Sequence, residues 1–95
     1  MSNLASLHAT VHGRVQGVYF RAFVEKQALT LGLTGYVRNL PSGDAVEVWV
    51  EGERSKLDNL LKQLHIGPPH SKVTQVITEW SEPTGKFNDF RINYF

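Results

Sequence analysis

Residues 7–31, LHATVHGRVQGVYFRAFVEKQALTL, change their hydrophobic period in mid-course and thereby decide the fold. The segment from Leu7 to Val11 alternates apolar and polar residues, which is the pattern of a strand that is buried on one face. From Phe20 onward the apolar residues recur at helical spacing, and Gly32 follows in the position that glycine favours after a helix. This stretch therefore predicts a strand, a loop with two glycines and a helix.

A hairpin is predicted around residues 41–44, where Pro-Ser-Gly-Asp has turn chemistry. A short strand candidate ends just before it, near Asn39. After it, Val46, Val48 and Val50 alternate with charged or aromatic residues. Two antiparallel strands joined by a short turn explain this pattern.

A second helix is predicted from leucines that recur with helical spacing between residues 57 and 64. We expect Ser55 and Asp58 to cap its start and the Gly-Pro-Pro run at 67–69 to end it. A strand over Val73–Trp80 follows, with an irregular pattern that indicates a bulge. A short strand over Phe90–Tyr94 comes last.

The resulting order is βαββαβ with a further short C-terminal strand. This order predicts the α+β class and a ferredoxin-like α/β sandwich, in which an antiparallel sheet carries two helices on one face. A chain of 95 residues suits a single domain over residues 1–95. Ferredoxin-like domains host unrelated activities, so the function has to be argued from particular residues.

The overall composition excludes several classes of protein. Ten Lys and Arg against nine Asp and Glu give a net charge of +1. A protein that binds nucleic-acid backbones is expected to carry a larger excess of basic residues. The absence of cysteine excludes disulfides, a thiol nucleophile and cysteine-ligated metal clusters. No run approaches the roughly 20 apolar residues of a membrane span, and the N-terminal residues lack a secretory leader. We expect a cytoplasmic monomer that binds neither nucleic acid nor membrane.

The loop at residues 13–21, Gly-Arg-Val-Gln-Gly-Val-Tyr-Phe-Arg, is the first candidate functional segment. Its two glycines allow a tight curl, and the N–H groups of such a loop can converge on an anion together with the free amides of the next helix turn. Arg21 stands in that turn, where the helix dipole disfavours a cation unless an anion binds beside it. A phosphate or carboxylate cradle and an ordinary glycine-rich turn with a solvated arginine are both open interpretations. A Walker A loop is excluded, because Val18 and Tyr19 follow Gly17 where a Lys-Ser/Thr pair is required.

The stretch at residues 35–41, Gly-Tyr-Val-Arg-Asn-Leu-Pro, is the second candidate segment. Asn39 ends a strand that can lie beside the first loop, and its carboxamide both donates and accepts hydrogen bonds. Such a group can hold a water molecule in line with a bound phosphoryl or acyl group. An asparagine that merely suits a turn is the alternative.

Taken together, these two segments and the following Val46-Glu47-Val48 closely resemble the acylphosphatase family, and the resemblance covers nearly the whole chain. It implies a metal-independent hydrolase without a cofactor, which cleaves the carboxyl–phosphate bond of small-molecule acyl phosphates to a carboxylate and inorganic phosphate. In the roles that it implies, Arg21 binds the phosphate and Asn39 orients the attacking water. The implied phosphate cradle consists of the backbone amides of Val15, Gln16, Gly17, Val18, Tyr19 and Phe20. The turn at 41–45 is one residue longer than is usual in the family. This difference affects the expected geometry of the hairpin but not the implied roles of Arg21 and Asn39.

Two other classes of function are alternatives. One is a non-catalytic anion-binding module, which keeps the cradle but turns nothing over. The other is an RNA-binding module of the same topology, in which aromatic residues on the central strands stack on bases. The strand at 45–51 has one aromatic residue, Trp49, and the neighbouring Glu47 and Glu51 repel a phosphate backbone.

The four histidines are expected at the surface rather than in a metal site. His8 and His12 share one strand face, but no third ligand with suitable spacing accompanies them. His65 and His70 flank the break between the second helix and the next strand. Trp49 is expected to be partly buried on the open side of the sheet.

Overall fold

The computed structural model describes residues 3–94, which form five strands and two helices. In chain order these are β1 (Leu4–Arg14), α1 (Phe20–Thr30), β2 (Thr34–Asn39), β3 (Ala45–Glu53), α2 (Arg54–Ile66), β4 (Lys72–Ser81) and β5 (Phe90–Asn93). This order confirms the predicted βαββαβ arrangement with an additional C-terminal strand. Neither helix in this part of the chain is long and apolar enough to cross a membrane.

The five strands form one sheet in the order β4-β1-β3-β2-β5. The β1–β3, β1–β4 and β2–β3 pairs are antiparallel, as predicted, but β5 pairs with β2 in parallel. The predicted antiparallel sheet is therefore confirmed, and the short C-terminal strand adds one parallel pair at its edge. The segment at 82–89 crosses the sheet at the end where β4 finishes, which is also the end where β2 begins, so β5 runs in the direction of β2.

Both helices pack on one face of the sheet and enclose the hydrophobic core. The alternating apolar residues of β1 and β3 point toward the helices, as their period predicts. The largest fully buried side chains are those of Phe20, Leu7, Leu57, Leu60, Leu64, Val11, Val15, Val24, Val37, Val46, Val48 and Val50. The core thus reaches from the central strands into the loop that joins β1 to α1.

The end of β1 departs from regular pairing at the predicted irregularity in β4. His12 pairs with Gln75 but Gly13 pairs with Val73, so Thr74 is an additional residue on β4. Gly13 has a φ of 129°, and a Cβ there would lie 2.1 Å from the Lys72 carbonyl oxygen. Only glycine fits this approach, which sends the chain out of the sheet and into the following loop.

The helix ends match the glycine signals, but the predicted cap of α2 was wrong. Gly32 follows α1 and Gly67 ends α2, both with a φ of 71°. β3 runs directly into α2, so the N-cap position falls on Glu53, and no side chain caps the helix. Ser55 therefore lies inside the first turn, and Asp58 instead pairs with the exposed Arg54, 3.4 Å away.

The open face of the sheet carries a charged network around Glu47. The Glu47 carboxylate accepts hydrogen bonds from Tyr36 Oη at 3.0 Å and Arg38 Nε at 2.6 Å, and His8 Nε2 lies 2.8 Å away. Burial raises the pKa of Glu47, but these hydrogen bonds outweigh it and hold the pKa below its usual value. Burial and the hydrogen bond to Glu47 raise the pKa of Tyr36.

The segment at 82–89 packs on the same open face. Phe87 contacts the rings of Tyr36 and Trp49, and Trp49 is partly buried there, as predicted. The buried Glu51 carboxylate accepts hydrogen bonds from the amides of Thr84 at 2.9 Å and Gly85 at 3.0 Å. This carboxylate therefore fixes the path that leads the chain to β5.

Replacement of Glu47 by Gln is expected to remove a pH-dependent part of the stability. Because the folded-state pKa of Glu47 is lowered, its stabilisation is present above about pH 4.3, the ordinary value for Glu, and is lost as the pH falls through the folded-state value. Urea unfolding of the wild type and Glu47→Gln should therefore show a difference in the free energy of unfolding that shrinks from about pH 7 to about pH 3. The exposed Glu82→Gln is the matched control. A difference that is constant over this range would contradict the prediction.

Candidate active site

A pocket of about 290 Å³ lies where the β1–α1 loop meets the end of β2. Its lining combines residues of the first candidate segment with Asn39 of the second. The lining residues are Val15, Gly17, Tyr19, Phe20, Arg21 and Asn39. The fold thus brings the two candidate segments together, because the strand that ends at Asn39 finishes at the same end of the sheet as the first loop.

The loop backbone adopts left-handed conformations next to the helix. Gly17 has a φ of 74°, and Tyr19, the N-cap residue of α1, has a φ of 63°. Residues in this region redirect successive peptide groups and form concave arrangements of N–H donors. The Tyr19 side chain turns into solvent and is 86% exposed, whereas Phe20 beside it is buried. The loop side of the pocket is therefore a tightly curved stretch of backbone.

The amide donors of this loop are largely free of internal partners. Val15 N–H donates to the Gly13 carbonyl at 3.0 Å, but within residues 3–94 the amides of residues 16–19 have no acceptor. The first N–H groups of α1 also lack intrahelical acceptors, and neither a capping side chain nor an acidic residue compensates them. The positive end of the helix dipole and the free donors of the loop therefore lie at the same pocket.

Arg21 adds a full positive charge to this end of α1. It is half-buried, and its guanidinium carbon lies 4.8 Å from the centre of the Tyr94 ring, a cation–π distance. In the described part of the chain no carboxylate pairs with Arg21. Its charge is consequently available to an anion in the pocket.

Asn39 contributes a different kind of group. It is the last residue of β2 and lies at the pocket, where its Oδ1 atom is buried without a hydrogen-bond partner among the described residues. A buried polar atom in a folded protein normally has a partner, so this oxygen is suited to accept a hydrogen bond from a molecule in the pocket.

The side chains of Gln16 and Val18 do not line the pocket. Val18 is buried in the core. Gln16 Nε2 donates to the Leu40 carbonyl at 2.8 Å and to the Ala45 carbonyl at 2.9 Å, at the base of the β2–β3 hairpin. From the sequence only the backbone amide of Gln16 is expected at the site, because a glutamine in a loop carries no periodic signal that reveals such a side-chain contact.

The histidines lie apart from the pocket lining. His8 joins the Glu47 network on the open face, and His65 and His70 are exposed. Within residues 3–94 no three His, Asp or Glu side chains converge in a group that could hold a metal ion.

Comparison with known proteins identifies the family. A family model described as acylphosphatase matches residues 7–92. The chain is 51% identical over 88 residues to an acylphosphatase of Dehalococcoides mccartyi, which covers 93% of this chain and 97% of that protein. It is 54% identical over 83 residues to an acylphosphatase of Chromohalobacter salexigens, covering 85% of this chain and 91% of that protein. The crystal structure of acylphosphatase from Bacillus subtilis superposes with a TM-score of 0.91 at 36% identity, over 95% of this chain and 99% of that one. The chain belongs to the acylphosphatase family.

Proposed function

We propose that this single-domain protein hydrolyses the carboxyl–phosphate bond of an acyl phosphate in the pocket between the β1–α1 loop and Asn39. Family membership supports the reaction, and the lining of the pocket supports the roles of the residues. The observation that carries the proposal is the meeting of free amides and Arg21 with the unpartnered oxygen of Asn39.

The phosphate group of the substrate binds in the curve of the loop. Its oxygens accept hydrogen bonds from the amides of residues 16–20, and Arg21 provides the neutralising charge. Val15 lines the pocket. Its amide is not counted among the phosphate donors, because it already donates to the Gly13 carbonyl. Donors that are held in place before the substrate arrives stabilise charge that develops on the phosphate oxygens in the transition state.

Asn39 orients the attacking water. Its Oδ1 accepts a hydrogen bond from one O–H of the water and thereby directs a lone pair of the water oxygen toward phosphorus. Holding nucleophile and phosphate in reactive geometry replaces a bimolecular encounter by an effectively unimolecular step. A hydrogen-bond acceptor of this kind does not stabilise a bare phosphate anion, because the phosphate oxygens are themselves mostly acceptors. This feature favours turnover over the alternative of a non-catalytic anion-binding module.

The reaction needs no covalent intermediate on the protein. The water oxygen forms a bond to phosphorus while the bond between phosphorus and the acyl oxygen breaks, and the acyl group leaves as a carboxylate with the electron pair. The proton of the water passes to the phosphate of the substrate. An acyl phosphate is an activated anhydride, so positioning and charge neutralisation carry most of the catalysis.

We further propose a cytoplasmic monomer that acts on a small-molecule substrate and not on nucleic acid. The open face, on which RNA recognition motifs stack bases, carries the partly buried carboxylate of Glu47 and is packed against Phe87. The net charge of +1 and the absence of cysteine agree with this assignment.

Arg21→Ala is expected to lower kcat/KM for benzoyl phosphate by at least about 10²-fold, because the charge that neutralises the transition state is lost. The assay contains a chelator, and thermal unfolding of the variant confirms that it is folded. The exposed Arg91→Ala is the matched control and should retain wild-type activity. A variant that keeps more than a tenth of the activity would contradict the role of Arg21.

Asn39→Ala is expected to lower kcat by about 10²-fold while the affinity for inorganic phosphate, measured by calorimetric titration, stays within about threefold. The reason is that water positioning is lost but the cradle remains. Asn59→Ala, at an exposed position of α2, is the matched control. A parallel loss of phosphate affinity and kcat would assign Asn39 to phosphate binding instead. If the wild type is inert and phosphate still raises its Tm, the protein is an anion-binding module.

The pH dependence of kcat is expected to follow the ionisation of the substrate phosphate alone. The proton acceptor in the proposed reaction is that phosphate, so no enzyme base contributes a limb to the profile. The measurement is kcat for benzoyl phosphate between about pH 5 and about pH 9, within the range in which the fold is stable. A limb that disappears when a His, Asp or Glu of the chain is replaced would contradict the absence of an enzyme base.

A further inference from the structure

The side chain of Gln16 connects the β1–α1 loop to the end of the strand that carries Asn39. Its Nε2 atom lies 2.8 Å from the Leu40 carbonyl oxygen and 2.9 Å from the Ala45 carbonyl oxygen, and the contact is partly buried. Leu40 directly follows Asn39, and Leu40 N–H itself donates to the Ala45 carbonyl at 3.0 Å. One carboxamide thus joins both arms of the hairpin at the base of its turn.

A carboxamide suits the chemistry of this contact. An uncharged NH2 group has two N–H donors, and here each meets one carbonyl oxygen. A carboxylate in its place has no donor at neutral pH and faces two carbonyl oxygens, and a methionine of similar length leaves both carbonyls without this partner. Asn39 and Val46 are register partners, so the two carbonyls belong to the residues that lie next to this pair on its turn side.

Among the described residues, other hydrogen bonds between the loop and the hairpin are few. Gly13 N–H donates to the Asp44 carbonyl at 2.9 Å, which ties the end of β1 to the turn. Beyond Gly13, the amides of residues 16–19 make no hydrogen bond within the part of the chain that the structure describes. Gln16 is therefore the hydrogen-bonded link between the curved part of the loop and the strand end.

We propose that Gln16 is a positioning residue, whose side chain sets the distance between the bound phosphate and the water held by Asn39. This inference rests on the proposed roles of the loop and Asn39. Gln16 reaches the reacting atoms only through other residues: it holds the loop on one side and the residue after Asn39 on the other. A displacement of about 1 Å between nucleophile and phosphate is enough to cost about 10²-fold in rate.

The first test compares Gln16→Met with Gln75→Met, an exposed glutamine on β4. For Gln16→Met we expect kcat for benzoyl phosphate to fall by at least about tenfold, while the affinity for inorganic phosphate stays within about threefold. For Gln75→Met we expect wild-type values. A merely structural role predicts instead that phosphate affinity falls together with kcat, and this result would overturn the proposal. Gln16→Asn, which keeps the amide but shortens its reach, gives the same test if Gln16→Met does not fold.

The second test asks whether Gln16 acts through Asn39. Both Gln16 variants are combined with Asn39→Ala, where water positioning is already lost. Because residues that work as a unit are not additive, Gln16→Met should lower the residual kcat of Asn39→Ala by less than about threefold. An equal factor in both backgrounds would show that Gln16 acts independently of Asn39 and would overturn the proposal. If the wild type does not hydrolyse benzoyl phosphate, the proposed function itself is wrong. This result differs from failure of the Gln16 proposal, in which the wild type is active and the variants behave other than expected.

Discussion

The left-handed backbone at Gly17 and Tyr19 is the constraint on which the rest of the site depends. It turns β1 into α1 within a few residues and, within residues 3–94, leaves the amides of residues 16–19 without an acceptor. A tyrosine in this conformation and a helix start without a capping side chain each cost on the order of 1 kcal/mol. Burial offsets these costs, because Val15, Val18 and Phe20 anchor the loop in the core on both sides of the residues that turn outward. The core therefore maintains a backbone that the local sequence alone would not favour.

Much of this arrangement could be predicted from the sequence because it rests on local patterns. The change of hydrophobic period after residue 11 located β1 and α1, and Gly32 located the end of the helix. The same patterns predicted that β2 and β3 form a hairpin. The meeting of Arg21 and Asn39 at one pocket follows from that topology, since β1 and β2 flank β3 and the loop after β1 lies at the end where β2 finishes.

The parts that could not be predicted depend on contacts between distant residues. The direction of β5 is set by where the segment at 82–89 crosses the sheet, and the period of Phe90 and Ile92 carries no such information. The cap expected at Ser55 failed because β3 continues to Glu53 and leaves no room for a separate capping residue. The contact of Gln16 with the hairpin joins residues 24 and 29 positions apart, beyond the reach of any local pattern.

The proposed site consists of groups that do not change charge near neutral pH. Backbone amides and the carboxamides of Gln16 and Asn39 do not titrate. The groups with shifted pKa values, such as Glu47 and Tyr36, belong to the open face and do not line the pocket. An activated substrate makes this possible, since its own phosphate can take the proton and its carboxylate is a good leaving group. A site of this kind is sensitive to displacement more than to protonation. In the reaction proposed above, the rate therefore depends on the distance between the loop and the end of β2, and the Gln16 contact lies where it can fix that distance.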